Sequence, residues 1–202
     1  IRDRNKYSKK IEDYEKSDFS KSLMIIAKQV KQIESLVNEF SDFARMPKPI
    51  LKDTNLVSLI KENINLINEL DNEIIIDFKS NMPSILLNCD NEQLSRVFLN
   101  LIKNSIESIQ EKKTNKANFK GKIDIVLNED IKKINFTIID NGLGFSSLAE
   151  NIKNMLNPYF TTKEKGTGLG LAIVNKIIND HNGKINFASI ENGAKIEINF
   201  IR

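Results

Sequence analysis

Three short segments carry residue types that could handle a phosphorylated ligand. In the first, Pro158 to Leu171, glycines stand at alternate positions, Gly166, Gly168 and Gly170. Such a backbone can take φ > 0 and lie close against a ligand. The apolar-rich run that follows reads as a helix. A Gly-rich loop feeding a helix N-terminus is a ready anion site, because unpaired N–H groups and the helix dipole point at it. Thr161, Thr162, Lys163, Lys165 and Thr167 add hydroxyl and ammonium groups around the same turn. The segment is not a P-loop, and Leu171 stands where the dinucleotide fingerprint would place its third glycine. Taken alone, it reads equally well as a flexible surface turn.

The second segment is Asp140 to Gly144, with glycines at 142 and 144. It closes a run of β-branched residues, so a carboxylate sits at a strand end beside backbone able to approach a flat ligand. A plain turn is the competing reading, since Asp, Asn and Gly are turn formers. The third is the pair Asn100 and Asn104, four apart and therefore on one helix face. Asn gains nothing by facing an apolar core. Two solvent-facing side chains in an Asn-rich chain remain the alternative.

These residues need elements to hold them. Leu23, Ile26, Val30, Ile33, Val37, Phe40 and Ala44 recur at steps of three and four, the seam of a helical bundle or coiled coil. Pro47 and Pro49 end that helix and set a boundary. Asp53 or Thr54 is expected to cap a helix with Leu56, Leu59, Ile60, Ile64 and Ile67 inward. Strands are expected at 73–80 and 84–88. Asp90 caps a second helix reaching about Ile109, and the polar stretch 111–120 reads as a loop. A hairpin is expected at 122–127 and 132–139, a third helix from about Leu169 to His181, and a closing hairpin at 184–190 and 194–200 around Gly193. The layout is α+β: helices on one face of a mixed, largely antiparallel sheet.

Composition narrows the classes. The 202 residues suit one ordinary domain plus an appendage, with 40% hydrophobic and 28% charged residues. The net charge of +3 is spread over scattered Lys, without the Arg-rich stripe of a nucleic-acid binder. No apolar run is long enough to cross a bilayer, so no membrane contact is expected. The single cysteine, Cys89, excludes an internal disulfide and fits a reducing compartment. Residues 1–18 are strongly charged and start without Met, which suggests a piece of something longer.

Together the segments resemble one family. Asn100 to Asn104, then Asp140 with Gly142 and Gly144, then Pro158 to Lys163, then Gly166 to Leu171 look like the N, G1, F and G2 boxes of sensor histidine kinases, in the family's order. The helix ending in Glu39, Phe40, Ala44 and Arg45 resembles the second helix of that family's dimerisation domain. Phe43 to Pro49 is similar to the nitrogen-regulation, NtrY-type kinases. The resemblance covers essentially the whole chain.

It implies a Bergerat-type (histidine kinase/gyrase/Hsp90-like) two-layer sandwich of a mixed sheet and three helices, preceded by a long dimerisation helix. The implied division is 1–46 for remnant dimerisation helices, 47–52 for a linker and 53–202 for the catalytic ATP-binding domain. Residues 1–18 would be the tail of a first dimerisation helix and the turn into the second. By the same resemblance, Asp140 would accept the adenine amino group, and Gly142 and Gly144 would lie against the base. Asn104 would hold Mg²⁺, and Asn100 would be a weaker contact to phosphates or metal-bound water. Thr162, Lys163, Gly166, Thr167, Gly168, Leu169 and Gly170 would close over the triphosphate, with Phe160 packing this lid down rather than touching the nucleotide.

Hydrolysing relatives commonly carry an acidic residue where this chain has Asn100, so bound ATP would be held for transfer. The implied function is a kinase that phosphorylates its own histidine and passes the phosphoryl group to the Asp of a response-regulator receiver domain. Its partners would be a second copy through the heptad helix and the regulator, with this part in the cytoplasm beneath a membrane-anchored parent. The acceptor histidine is missing, because the single His, His181, sits at a helix C-terminus before Gly183. No catalytic residue is therefore expected within the chain, which should bind ATP without phosphorylating itself. A non-catalytic ATP-binding or dimerisation module regulating a partner kinase or response regulator is the alternative.

Overall fold

From Arg2 to Ala44 the chain contains neither proline nor glycine, and in a computed structural model it forms one α-helix, α1 (Arg2–Ala44). The turn expected within residues 1–18 is absent, since nothing there interrupts the helical ladder. The structure describes residues 2–70, 73–115, 119–145, 154–161 and 166–201. It divides into two compact units, Ile1–Met46 and Pro47–Arg202. On α1, the seam residues Leu23, Ile26, Val30, Ile33, Val37 and Phe40 are all at least 48% exposed, so the stripe is unburied in a single chain. Among the described residues, no helix is long and apolar enough to cross a membrane.

The second unit is two-layered. Its main sheet has the order β2-β4-β5-β7-β6, built from β2 (Ile75–Ser80), β4 (Lys122–Glu129), β5 (Lys133–Asp140), β6 (Gly183–Ile190) and β7 (Gly193–Ile201). Only the β2–β4 pairing is parallel. A small second sheet pairs β1 (Lys52–Asn55) with β3 (Leu86–Cys89), antiparallel. Helices α2 (Leu56–Leu70), α3 (Asn91–Asn115) and α4 (Gly170–Asp180) cover one face of the main sheet.

The core follows from periodicity. Leu94, Val97, Phe98, Leu101, Ile102 and Ile109 form the fully buried stripe of α3. α3 packs on β5, whose alternating Ile134, Phe136 and Ile138 are buried, and on β4. The rings of Phe98 and Phe136 lie 4.8 Å apart, tilted by 38°. Asn63 of α2, also buried, donates to the Leu59 carbonyl at 2.7 Å and to Ser95 Oγ of α3 at 3.1 Å.

Two boundaries differ from the sequence reading. Asp53 and Thr54 lie in β1, and the side chain that caps α2 is Asn55, whose Oδ1 accepts the Val57 N–H at 3.1 Å. The stretch 111–120 is not all loop, for α3 continues to Asn115. Gln110, Glu111, Lys112 and Lys113 are good helix formers, and the two lysines complement the negative end of the helix dipole. Asp90 caps α3 as expected, its Oδ1 accepting the N–H groups of Glu92 and Gln93, each at 3.1 Å.

Candidate nucleotide-binding site

One face of α3 carries polar residues at helical spacing. Asn104, Ser105, Ser108 and Glu111 line a cavity of about 400 Å³ that opens between α3, the end of β5 and the start of α4. The register of the sheet sets Asp140, the last residue of β5, between Ile123 on β4 and Ala194 on β7. Asp140 is buried at 5% exposure and also lines the cavity. Its Oδ1 accepts the Gly142 N–H at 2.9 Å, and its Oδ2 accepts the Ser105 hydroxyl at 3.0 Å. Burial pushes its carboxyl above the usual range, against the pull of Gly142, Ser105, Ala194 and the nearby Lys112 charge.

The backbone after Asp140 crosses α3 closely, and the Leu143 N–H donates to Ser108 Oγ at 3.0 Å. Gly144 lines the cavity with Leu143 and Phe145. From the far side Gly193, at φ +143°, presses on this turn, and a Cβ there would land on the Asp140 carbonyl oxygen. A carboxylate on the pocket floor, apolar walls such as Ile196 and Leu143, and an α3 rim of amide and hydroxyl groups match the make-up of a small-molecule site.

The other wall comes from the Gly-rich segment. Gly168 has φ +69°, and a Cβ there would come within 2.5 Å of the Tyr159 carbonyl carbon. The Tyr159 N–H donates to the Gly168 carbonyl at 3.1 Å, so the two strands of the loop clasp each other through bare backbone. Gly168, Gly170 and Leu171 line the cavity. Among the described residues the first turn of α4 has no side-chain cap and no acidic residue, an arrangement whose N–H groups and dipole favour an anion.

The expected residues divide as follows. Asn104, Asp140, Gly144, Gly168 and Gly170 meet at the cavity. Gly142 reaches it through its hydrogen bond to Asp140. Asn100 Oδ1 lies 3.7 Å from where a Gly170 Cβ would stand, facing the loop rather than the base pocket. Gly166 and Thr167 stand outside the lining, with Thr167 Oγ1 accepting the Leu169 N–H at 3.3 Å. Leu169 is fully buried, which leaves only its backbone for a ligand. Thr162 and Lys163 lie outside the described residues. Phe160, expected to pack away from the ligand, lines the cavity.

Ser105, Ser108 and Ala194 were not singled out from the sequence. The two serines continue the polar face begun by Asn100 and Asn104, which was their signal; Ala194 had none. For a metal, the donor set is sparse. Among the described residues no group of three His, Cys, Asp or Glu could hold one. Asn104 puts a single amide oxygen in the cavity, which suits a cation that takes its other ligands from phosphates and water.

The class of this domain is that of the two-layer ATP-binding sandwiches. Residues 89–201 match the family described as histidine kinase-, DNA gyrase B- and HSP90-like ATPase. The chain belongs to that family. It is 36% identical over 187 residues to a putative NtrY-like sensor histidine kinase of Rickettsia prowazekii, covering 92% of this chain and 30% of that protein. It is also 36% identical over 160 residues to the nitrogen regulation protein NtrY of Azorhizobium caulinodans, covering 79% of this chain and 20% of that protein. The chain thus spans under a third of the length of these relatives. The catalytic domain of the histidine kinase ThkA superposes with a TM-score of 0.64 at 28% identity, over 75% of this chain and 95% of that one. ThkA in complex with the response regulator TrrA gives a TM-score of 0.70 at 25% identity, over 88% of this chain and 49% of that one.

Proposed function

We propose that the chain is the ATP-binding catalytic part of a sensor histidine kinase, which delivers the γ-phosphoryl group of ATP to a histidine and onward to an Asp of a response-regulator receiver domain. The observation that carries this reading is the buried Asp140 carboxylate on the cavity floor, opposite the uncapped N-terminus of α4. An acceptor there takes the 6-amino group of adenine and disfavours guanine, which offers a carbonyl at that position. The α4 N–H groups and the glycine backbone from Gly166 to Gly170 then face the phosphates. Asn104 is the protein ligand for Mg²⁺, which neutralises phosphate charge when bound.

The remaining chemistry is positioning. Asn100 cannot take a proton from water, so the site holds ATP rather than hydrolysing it. His181 is not the acceptor. It is buried, with Nε2 accepting the Asp90 N–H at 3.0 Å and Nδ1 engaged with the Ile177 carbonyl at 2.8 Å. The acceptor histidine belongs to a segment outside these 202 residues, and α1 is the helix through which two copies would pair to present it. By the resemblance to NtrY-type kinases, the parent would be membrane-anchored with this part on the cytoplasmic side.

Calorimetric titration of the chain with ATP and Mg²⁺ tests the reading. Saturable binding with negligible turnover, and no acid-labile phosphate left on the chain after incubation with labelled ATP, is the expected result. Absence of ATP binding would favour a non-catalytic module, and steady hydrolysis would favour an ATP-driven machine.

A further inference from the structure

Asp140 recognises a base only if the turn after it holds still, and that turn is gripped from outside the cavity. Lys112 Nζ donates to the Asn141 carbonyl and to the Gly142 carbonyl, each at 2.7 Å. A peptide unit is planar and trans, so its C=O and N–H point in opposite directions. The unit whose carbonyl is that of Asn141 carries the Gly142 N–H, which donates to Asp140 Oδ1 at 2.9 Å. The next unit, with the Gly142 carbonyl, carries the Leu143 N–H, which donates to Ser108 Oγ at 3.0 Å. Two successive peptide planes are therefore each held at both ends, by one ammonium on the outer side and by pocket groups on the inner side.

We propose that Lys112 is a positioning residue for base recognition, aiming the Asp140 carboxylate by clamping the two peptide planes that follow it. The inference rests on the adenine reading of Asp140. An ammonium on a carbonyl also polarises the peptide, making the opposite N–H a stronger donor to Asp140. Lys112 is itself fixed, with the Phe119 ring centroid 5.0 Å from Nζ. The Asn141 side chain pins the turn laterally, donating to the Lys120 carbonyl and accepting the Lys122 N–H, both at 2.9 Å. A hydrophobic side chain at 112 would leave the two carbonyls to water and hold both planes from the pocket side alone.

The test compares ATP with purine riboside triphosphate, which lacks the 6-amino group, by calorimetry on the whole chain. Lys112→Met should weaken ATP by about tenfold or more while changing the desamino analogue by no more than about twofold, because only the contact through Asp140 is disturbed. Lys112→Arg, which keeps two donors and the charge, should restore most of the ATP affinity. If the methionine variant does not fold, Lys112→Gln is held to the same ratio. Unchanged ATP affinity, or an equal loss for both nucleotides, would overturn the role given to Lys112. A wild-type chain that binds both nucleotides equally would overturn the adenine reading itself, and Lys112 with it.

Discussion

The imidazole of His181, at the end of α4, accepts the backbone N–H of Asp90, at the start of α3, across 3.0 Å. Because Nε2 is the acceptor, the ring proton must sit on Nδ1, where it donates to the Ile177 carbonyl at 2.8 Å. One neutral ring thus joins the last turn of the helix behind the Gly-rich loop to the residue that caps the helix bearing Asn100 and Asn104. His181→Ala leaves the Asp90 N–H without its partner. It should lower stability by about 1–3 kcal/mol, read as a shift in a urea unfolding midpoint.

Asp90 does more than cap. Its Oδ2 accepts the Ile50 N–H at 2.8 Å, and Gln93 Nε2 donates to the Pro47 carbonyl at 3.1 Å, so the proline segment from Pro47 to Ile50 is tied to the start of α3. Burial pushes the Asp90 carboxyl up, but the N–H groups of Ile50, Gln93 and Glu92 outweigh it and hold it below the usual range. A depressed folded value means stability that is present above the unfolded carboxylate value and lost as pH falls through the folded one. Asp90→Ala should cost about 1–2 kcal/mol at neutral pH. The difference from wild type should shrink in denaturant melts as pH falls below the unfolded carboxylate value and then through the lower native one.

Asp140 has the opposite sign. Its carboxyl is raised, chiefly by burial, so its contribution is present below the unfolded value and lost as pH rises through the folded one. Asp140→Asn should therefore gain stability over wild type as pH climbs from acid to neutral, while Asp140→Ala should cost about 1.5–3 kcal/mol of ATP affinity. Melting curves across pH read the first effect and calorimetry the second. A flat difference across pH would show that the carboxyl is not destabilised by its burial.

Neighbouring glycines of the loop should behave differently. Gly168→Ala forces a Cβ against the Tyr159 and Phe160 backbone at φ +69° and should destabilise the loop by more than about 1 kcal/mol, with a matching loss of ATP affinity. Among the described residues, Gly170→Ala meets only Asn100 Oδ1 at 3.7 Å, and it enters the first turn of α4, where Ala is the better helix former. That variant should fold at least as well as wild type. Equal damage from both substitutions would contradict the Tyr159–Gly168 clasp.

The parts of this fold that were legible in the sequence are those whose signal is local. The β-branched alternation of β4, β5 and β7, the Asp90 cap and the stripe of α3 are each written within one stretch. So are the boxes around Asn104, Asp140 and Gly168, and the two-layer sandwich of a mixed sheet and helices that they imply is the fold the chain adopts. What escaped depends on distant partners. Lys52–Asn55 has no apolar alternation and becomes a strand because Leu86–Cys89 pairs with it. The cap of α2 moved to Asn55 for the same reason, since Oδ1 also accepts the Ile85 N–H at 3.4 Å. Lys112 looked like part of a solvated Lys-rich loop. Only the meeting of the last turns of α3 with the end of β5 reveals what its ammonium holds.

Gly193 looked like a hairpin residue and nothing more, yet its α-carbon abuts the main chain of Asp140. Glycine is encoded by codons from which any single-base change to another amino acid installs a Cβ. Position 193 therefore has no one-step neighbour that the site can accept. Its turn companions Glu191 and Asn192 are exposed and can drift. Among lineages carrying this domain, the hairpin should diversify around a fixed point set not by the hairpin but by the carboxylate behind it, and a saturation library selected for ATP binding would make that point visible.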